Sequence, residues 1–173
     1  MTRTDERAQS IDFSDSYLDT GLCILVPKDS VAKSIEDIDV PGTMVAVKQG
    51  TTSHIYANQY LGGVQLLLFE DENAAALEVA QGKVDAFIYD QISVYLFWRK
   101  HTETTNALLR PFNQESWAIG VRKDNTALLE DVNAFLKAVS YTHLRAHETP
   151  EHRVCRRGRG KKKGGGGGGG GGG

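Results

Sequence analysis

The sequence predicts an α/β protein built on a parallel, doubly wound sheet. Two observations carry that expectation. Apolar runs of strand length recur between residues 22 and 112, and stretches of helical character separate them. No self-similar repeat of solenoid type interrupts the alternation.

In order, residues 22–27 (LCILVP) form a short apolar run between Gly21 and the polar Lys28-Asp29-Ser30, the pattern of a buried strand. Ser34 offers a helix cap for a short helical turn that Pro41-Gly42 stops, and residues 43–48 (TMVAVK) are the next strand. Residues 51–61 carry Ile55, Tyr56 and Tyr60 at helical spacing and end at Gly62-Gly63. The cycle repeats as strand 64–69 (VQLLLF), helix 73–81 capped by Gly82, strand 84–89 (VDAFIY) and helix 91–100. Beyond a loop at 101–106, residues 108–112 and 116–122 read as two further strands. Residues 125–139 read as an amphipathic helix with Leu128, Leu129, Val132 and Leu136 on its apolar face.

At 173 residues, 40% hydrophobic and 24% charged, the chain is long enough and ordinary enough for one sizeable core. The averages conceal two different segments. Residues 1–137 hold 12 Lys and Arg against 20 Asp and Glu, a net of −8, whereas the remainder holds 8 against 2, a net of +6. Glycine divides likewise, with 7 of 19 before residue 138 and an unbroken run at 164–173 that cannot build a core. Cys23 is the single cysteine of the acidic part, so no disulfide framework is expected. No apolar run approaches the ~20 residues of a membrane-spanning helix, and the opening MTRTDERAQS lacks the apolar stretch of a secretory signal.

Residues 139–149 (VSYTHLRAHET) resemble, letter for letter, one reading frame of a transposon-type sequencing adapter, and HRVCRRGRGKKK at 152–163 resembles its continuation. Residues 139–173 are therefore expected to be a non-native, disordered tail. Its His143, His147, His152 and Cys155 would otherwise suggest a zinc site, and its basic run a nucleic-acid contact. Neither a metal nor nucleic acid is expected on that account.

Five motifs in order carry a family resemblance: Met1-Thr-Arg-Thr-Asp-Glu-Arg7, Ile11-Asp-Phe-Ser14 with Tyr17, Gln49-Gly-Thr-Thr52, Gly82-Lys-Val-Asp-Ala86 with Asp90, and Trp117-Ala-Ile-Gly-Val-Arg-Lys123. Together they resemble the bacterial extracellular solute-binding proteins of family 3, the polar-amino-acid receptors of ABC importers. The resemblance implies a periplasmic-binding-protein-like fold of type II, two α/β lobes joined by crossing strands with the ligand in the cleft between them. On that scheme residues 22–111 are one nearly complete doubly wound lobe. Residues 1–21 and 112–138 are partial pieces of the other lobe, which makes the chain an internal fragment whose signal peptide is missing. The implied setting is periplasmic, or extracellular and lipid-tethered. The implied partners are a small-molecule amino acid and a membrane permease with its ATPase, and the receptor would be a monomer without cofactor.

An amino-acid ligand is a zwitterion, so its cleft needs a cation and N–H donors for the carboxylate and an anion for the ammonium. By resemblance, Arg7 is the carboxylate clamp, a role suited to the planar fork of guanidinium, and Thr2 adds a hydroxyl or backbone contact. Thr51 and Thr52 follow a strand and open a helix, where a carboxylate is favoured; a plain N-cap uses the same geometry. Asp90 ends a strand and suits the ammonium, or caps the helix after it. Tyr89, Phe112 and Trp117 are candidate cleft walls and His54 is expected at the surface. No Ser/His/Asp set or paired metal ligands occur in the acidic part, so no catalytic residue is expected. Two same-fold alternatives stay open: a dehydratase of the cyclohexadienyl or arogenate type, with Glu115 as its candidate acid, and the ligand-sensing domain of a signalling protein.

Overall fold

In a computed structural model, residues 1–146 are described. The chain orders as α1 (Asp5–Ser10), β1 (Ile11–Phe13), β2 (Leu18–Pro27), β3 (Met44–Lys48), α2 (Thr52–Tyr60), β4 (Gln65–Phe69), α3 (Glu72–Ala80), β5 (Ala86–Asp90), α4 (Gln91–Lys100), β6 (Thr105–Trp117), β7 (Gly120–Arg122) and α5 (Thr126–Ala146). Met1–Val132 form one compact unit, and the described residues from Asn133 on belong to a second.

The main sheet has five strands in the order β4-β3-β5-β2-β6. It is mixed rather than wholly parallel. β3, β4 and β5 run parallel, β2 is antiparallel to both β5 and β6, and β6 therefore shares the direction of β5. The reason is local: α2, α3 and α4 each carry the chain back across the sheet, which parallel strands require. The β2–β3 link has no such helix, because residues 34–38 form turns held by bonds such as Ile38 N–H to the Ile35 carbonyl.

Alternate residues of the central strands feed two cores, as the two-residue period of a strand dictates. Leu22, Ile24 and Val26 of β2 pack with Val45, Val47 and Ile88 beneath Ala57 of α2 and the 34–38 turns. Cys23 and Leu25 pack with Ala46 and Phe87 beneath α3 and α4, whose Val79, Val94 and Phe97 close the other face. Helices thus cover both faces, and the continuous apolar run of β2 follows from burial on both.

β2 and β6 are longer than expected and pair from Leu18↔Trp117 to Pro27↔Thr105, with a register shift between Leu22 and Ile24. Across that shift Cys23 stands against the bulged residues 109–112 of β6. Pro111, which has no ladder N–H to give, falls inside the bulge. The two strands expected at 108–112 and 116–122 are thus one strand to Trp117, followed by β7, which pairs antiparallel with β1 in a separate two-stranded sheet.

α5 begins beside Asn125, whose Oδ1 accepts the Leu128 N–H at 3.4 Å. Leu129, Val132 and Leu136 are half-buried while Leu128, expected on the same face, is exposed. The helix continues past Val139 to Ala146, where the sequence predicts a disordered tail to have begun. No glycine or proline occurs between Val139 and Ala146, so nothing in those residues stops it. The rest of the expected tail, 147–173, with His147, His152 and Cys155, lies outside the described residues. Among the described residues no helix is long and apolar enough to cross a membrane, and no cluster of His, Cys, Asp and Glu could hold a metal ion.

Candidate functional site

The ends of β3 and β5 and the start of α2 open toward the N-terminal segment at one hollow of about 170 Å³. Thr2, Arg7, Thr51, Thr52 and Asp90, the five residues singled out from the sequence, all line it. They arrive from three separate stretches of chain, brought together by the sheet.

The N-terminal segment is laid along the end of β6. Thr2 bridges Trp117, and the Arg3 N–H donates to the Ser116 carbonyl at 3.1 Å. Thr4 then caps α1, its Oγ1 accepting the Arg7 N–H at 3.2 Å. Half-buried Arg7 is held from two sides, Nη1 donating to the Thr2 carbonyl at 2.9 Å and Nη2 to the Gly50 carbonyl at 3.3 Å. These bonds use two of its N–H donors and leave the others for a planar acceptor.

Gly50, two residues past β3, has a φ of 73°, a left-handed conformation that a side chain would strain, and turns the chain into α2. Thr51 stands at the N-cap of α2 yet makes no capping bond from its side chain. Its hydroxyl donates instead to the Lys48 carbonyl at 2.6 Å and meets Ser53 Oγ at 2.8 Å. The first turn of α2 therefore keeps the positive end of its dipole free of a side-chain cap, at the wall of the hollow. His54, expected at the surface, is half-buried, and its Nδ1 accepts the Gly50 N–H at 3.3 Å, bracing the turn.

Asp90 ends β5 and caps α4, Oδ1 accepting the Ser93 N–H at 3.0 Å. The cap and a place in the wall of the hollow coexist, because one carboxylate oxygen serves the helix. Asp85, one residue before the start of the register with β3, ties that strand instead, its Oδ2 accepting the Met44 N–H at 2.8 Å.

Of the three aromatic candidates, Tyr89 and Trp117 line the hollow. Tyr89 stacks on Phe87 at 5.4 Å, and burial holds its hydroxyl above the usual phenol range. Phe112 does not reach it. In the bulge of β6 it turns toward Tyr56, 5.1 Å away edge-on, and lines a different hollow with Ile24 and Ile35.

Glu115 also lines the site, its Oε2 accepting the Thr2 hydroxyl at 2.8 Å. A second hollow of about 650 Å³ shares Thr2, Thr52 and Glu115 with the first and extends along Tyr56 and Tyr60. The sequence did not mark these tyrosines as site residues, since at i and i+4 on an expected helix they match ordinary packing. Asn113 and Gln114 were missed because a polar run inside a strand reads as a loop. They are polar because they face this hollow rather than a core.

The chain is 34% identical over 139 residues to the ABC transporter glutamine-binding protein GlnH of Bacillus subtilis, a match covering 79% of this chain and 50% of that protein. It is 27% identical over 133 residues to the L-cystine-binding protein TcyJ of Escherichia coli K12, covering 77% and 50%. The chain thus spans about half the length of these curated relatives, both named as binding proteins. Among solved structures, holo ArgBP from T. maritima superposes with a TM-score of 0.74 at 32% identity, covering 91% of this chain and 66% of that one. The ancestral amino acid-binding protein AncCDT-1, described as a precursor of cyclohexadienyl dehydratase, superposes with a TM-score of 0.74 at 36% identity, covering 82% and 61%. One family accounts for the described residues from end to end, and by its match over residues 1–146 the chain belongs to the bacterial extracellular solute-binding proteins, family 3.

Proposed function

We propose that this chain forms part of the ligand cleft of an extracytoplasmic receptor that captures an amino acid and delivers it to an ABC importer. The observation that carries the reading is the meeting of Arg7, the uncapped start of α2 and Asp90 around one small hollow. Its volume, about 170 Å³, lies below the ~300–1,000 Å³ of sites for drug-sized ligands and suits the head of an α-amino acid. The ligand carboxylate sits between the free N–H groups of Arg7 and the first turn of α2, and its ammonium meets Oδ2 of Asp90. Thr2 holds the guanidinium in place through its carbonyl.

In this reading residues 22–111 are one lobe, and residues 1–21 and 112–138 belong to a second. The hinge is the β2–β6 crossing, where the ladder is interrupted between Leu22 and Ile24. Closure brings the lobes onto the ligand, and a permease with its ATPase recognises the closed form. The receptor acts as a monomer in the periplasm or tethered by lipid outside the cell, and binds without catalysis.

Calorimetric titration of the twenty amino acids tests this, using the protein in its full genomic reading frame beside its Arg7→Ala variant. Tight binding of an amino acid that disappears in the variant is expected. Absence of binding to all twenty would remove the reading. A second reading, a dehydratase, has one observation in its favour, the carboxyl of Glu115 within the cleft; release of product from a cyclohexadienyl substrate would establish it.

A further inference from the structure

Counting side chains, the two hollows that share Thr2, Thr52 and Glu115 carry more negative than positive charge: Arg3 and Arg7 stand against Glu6, Asp19, Asp90 and Glu115, a net of −2. A zwitterion brings one charge of each sign, so pairing its carboxylate with Arg7 and its ammonium with Asp90 leaves that excess standing. Among the described residues none of the salt bridges involves Glu6, Asp19 or Glu115.

Glu115 lines both hollows. Its Oε2 is bonded to Thr2, but its Oε1 is buried and has no hydrogen-bond partner. A buried carboxylate oxygen left in that condition is costly, and a donor reaching it is correspondingly favourable. The wall beside it is aromatic: Tyr56 and Tyr60 lie 4.8 Å apart along the larger hollow. Carboxylates next to aromatic rings attract an organic cation both by charge and through the ring faces. An anionic side chain would be repelled here, and a neutral one would leave the charge of Glu115 unpaired.

We propose that Glu115 reads the ligand's side chain, and that the ligand is an amino acid with a cationic side chain, arginine or lysine. Its α-groups occupy the smaller hollow and its charged end enters the larger one past Glu115. The assignment rests on the receptor reading above. Thr20 supplies the competing account. It pairs with Glu115 across β2 and β6, and its own Oγ1 is buried without a partner, so a turned hydroxyl could satisfy Oε1 with no ligand involved.

The test is calorimetric titration of the full-length protein with L-arginine, L-lysine, L-glutamine and L-glutamate, for the wild type, Glu115→Gln and Thr20→Val. The wild type is expected to prefer arginine or lysine over glutamine by at least about tenfold, the range of a charge-assisted hydrogen bond. Glu115→Gln should lose that preference, and Thr20→Val should keep it. Preference for glutamine or glutamate in the wild type overturns the proposal while leaving the receptor reading intact, and it does so even where a variant does not fold. An unchanged preference in Glu115→Gln also overturns it, and its loss in Thr20→Val alone points to the internal pair. No binding of any amino acid removes the receptor reading itself.

Discussion

Gly21 and Asn113 pack backbone against backbone where β2 crosses β6, so closely that a Cβ on Gly21 would lie 2.4 Å from the Asn113 carbonyl oxygen and 2.7 Å from Cβ of Pro111. Neither obstacle is the free end of a flexible side chain, so the strands would have to part. Gly21→Ala should therefore cost about 1–3 kcal/mol, the range for overpacking. Gly62→Ala, where an added Cβ meets nothing within 4 Å, is the control and should leave the thermal midpoint near that of the parent. Circular-dichroism melts of the two variants measure the difference.

Arg7 bonds to two backbone carbonyls, from Thr2 and Gly50, and offers its remaining donors to the hollow. Arg7→Lys keeps the charge but loses the fork, so amino-acid affinity should fall about tenfold, and Arg7→Ala should lower it a hundredfold or more. Titration calorimetry reads both, and equal affinities for Arg7→Lys and the wild type would argue against bidentate recognition.

Substitution can separate the helix cap that Asp90 makes from the ligand contact proposed for it. Asparagine caps a helix as well as aspartate does, so Asp90→Asn should stay within about 0.5 kcal/mol of the parent in stability while losing affinity for the ligand ammonium. Asp90→Ala loses the bond to the Ser93 N–H as well and should cost about 1 kcal/mol more in denaturant unfolding.

Burial pushes the Cys23 thiol up from an ordinary 9.0 to about 11, with the charge of Asp90 adding to the effect. The folded state keeps the thiol neutral where the unfolded chain ionises it. The associated stability is complete below pH 9 and declines, by an amount on the order of 2 kcal/mol, as the pH rises from about 9 to about 11. In a Cys155→Ser background, an aromatic disulfide reagent at pH 8 should leave Cys23 untouched until denaturant is added.

The central strands and the helices α2, α3 and α4 were legible because their apolar runs and glycine stops are local signals. Leu22 through Val26 announce a strand buried on both faces, and Asp90 before Gln91 announces a strand handing over to a helix. The direction of β2 was not legible, since it depends on the absence of a crossover helix between Pro27 and Met44, and Ser34 imitated a cap. β6 was split in the reading because its polar stretch at Asn113 to Glu115 lines a hollow rather than a core. Of the five site residues, Arg7 and Thr2 came from motif resemblance, and Thr51, Thr52 and Asp90 from their places at strand ends and helix starts. Glu115 was visible only as a candidate acid, because its unpartnered oxygen and its place in the walls of two hollows are properties of the folded arrangement.

The hydrogen bond from Thr2 to Glu115 joins positions 113 residues apart, and the hollow it borders also draws on Gly50's neighbours and on Asp90. A chain emerging from the ribosome meets these contributors one after another over most of its length. Non-local contacts of this kind are slow to form, because the intervening chain must first be ordered. The hollow is thus complete only once β6 has been made: a product ended before β6 would bury much of its apolar interior and still lack the walls that Glu115 and Trp117 supply.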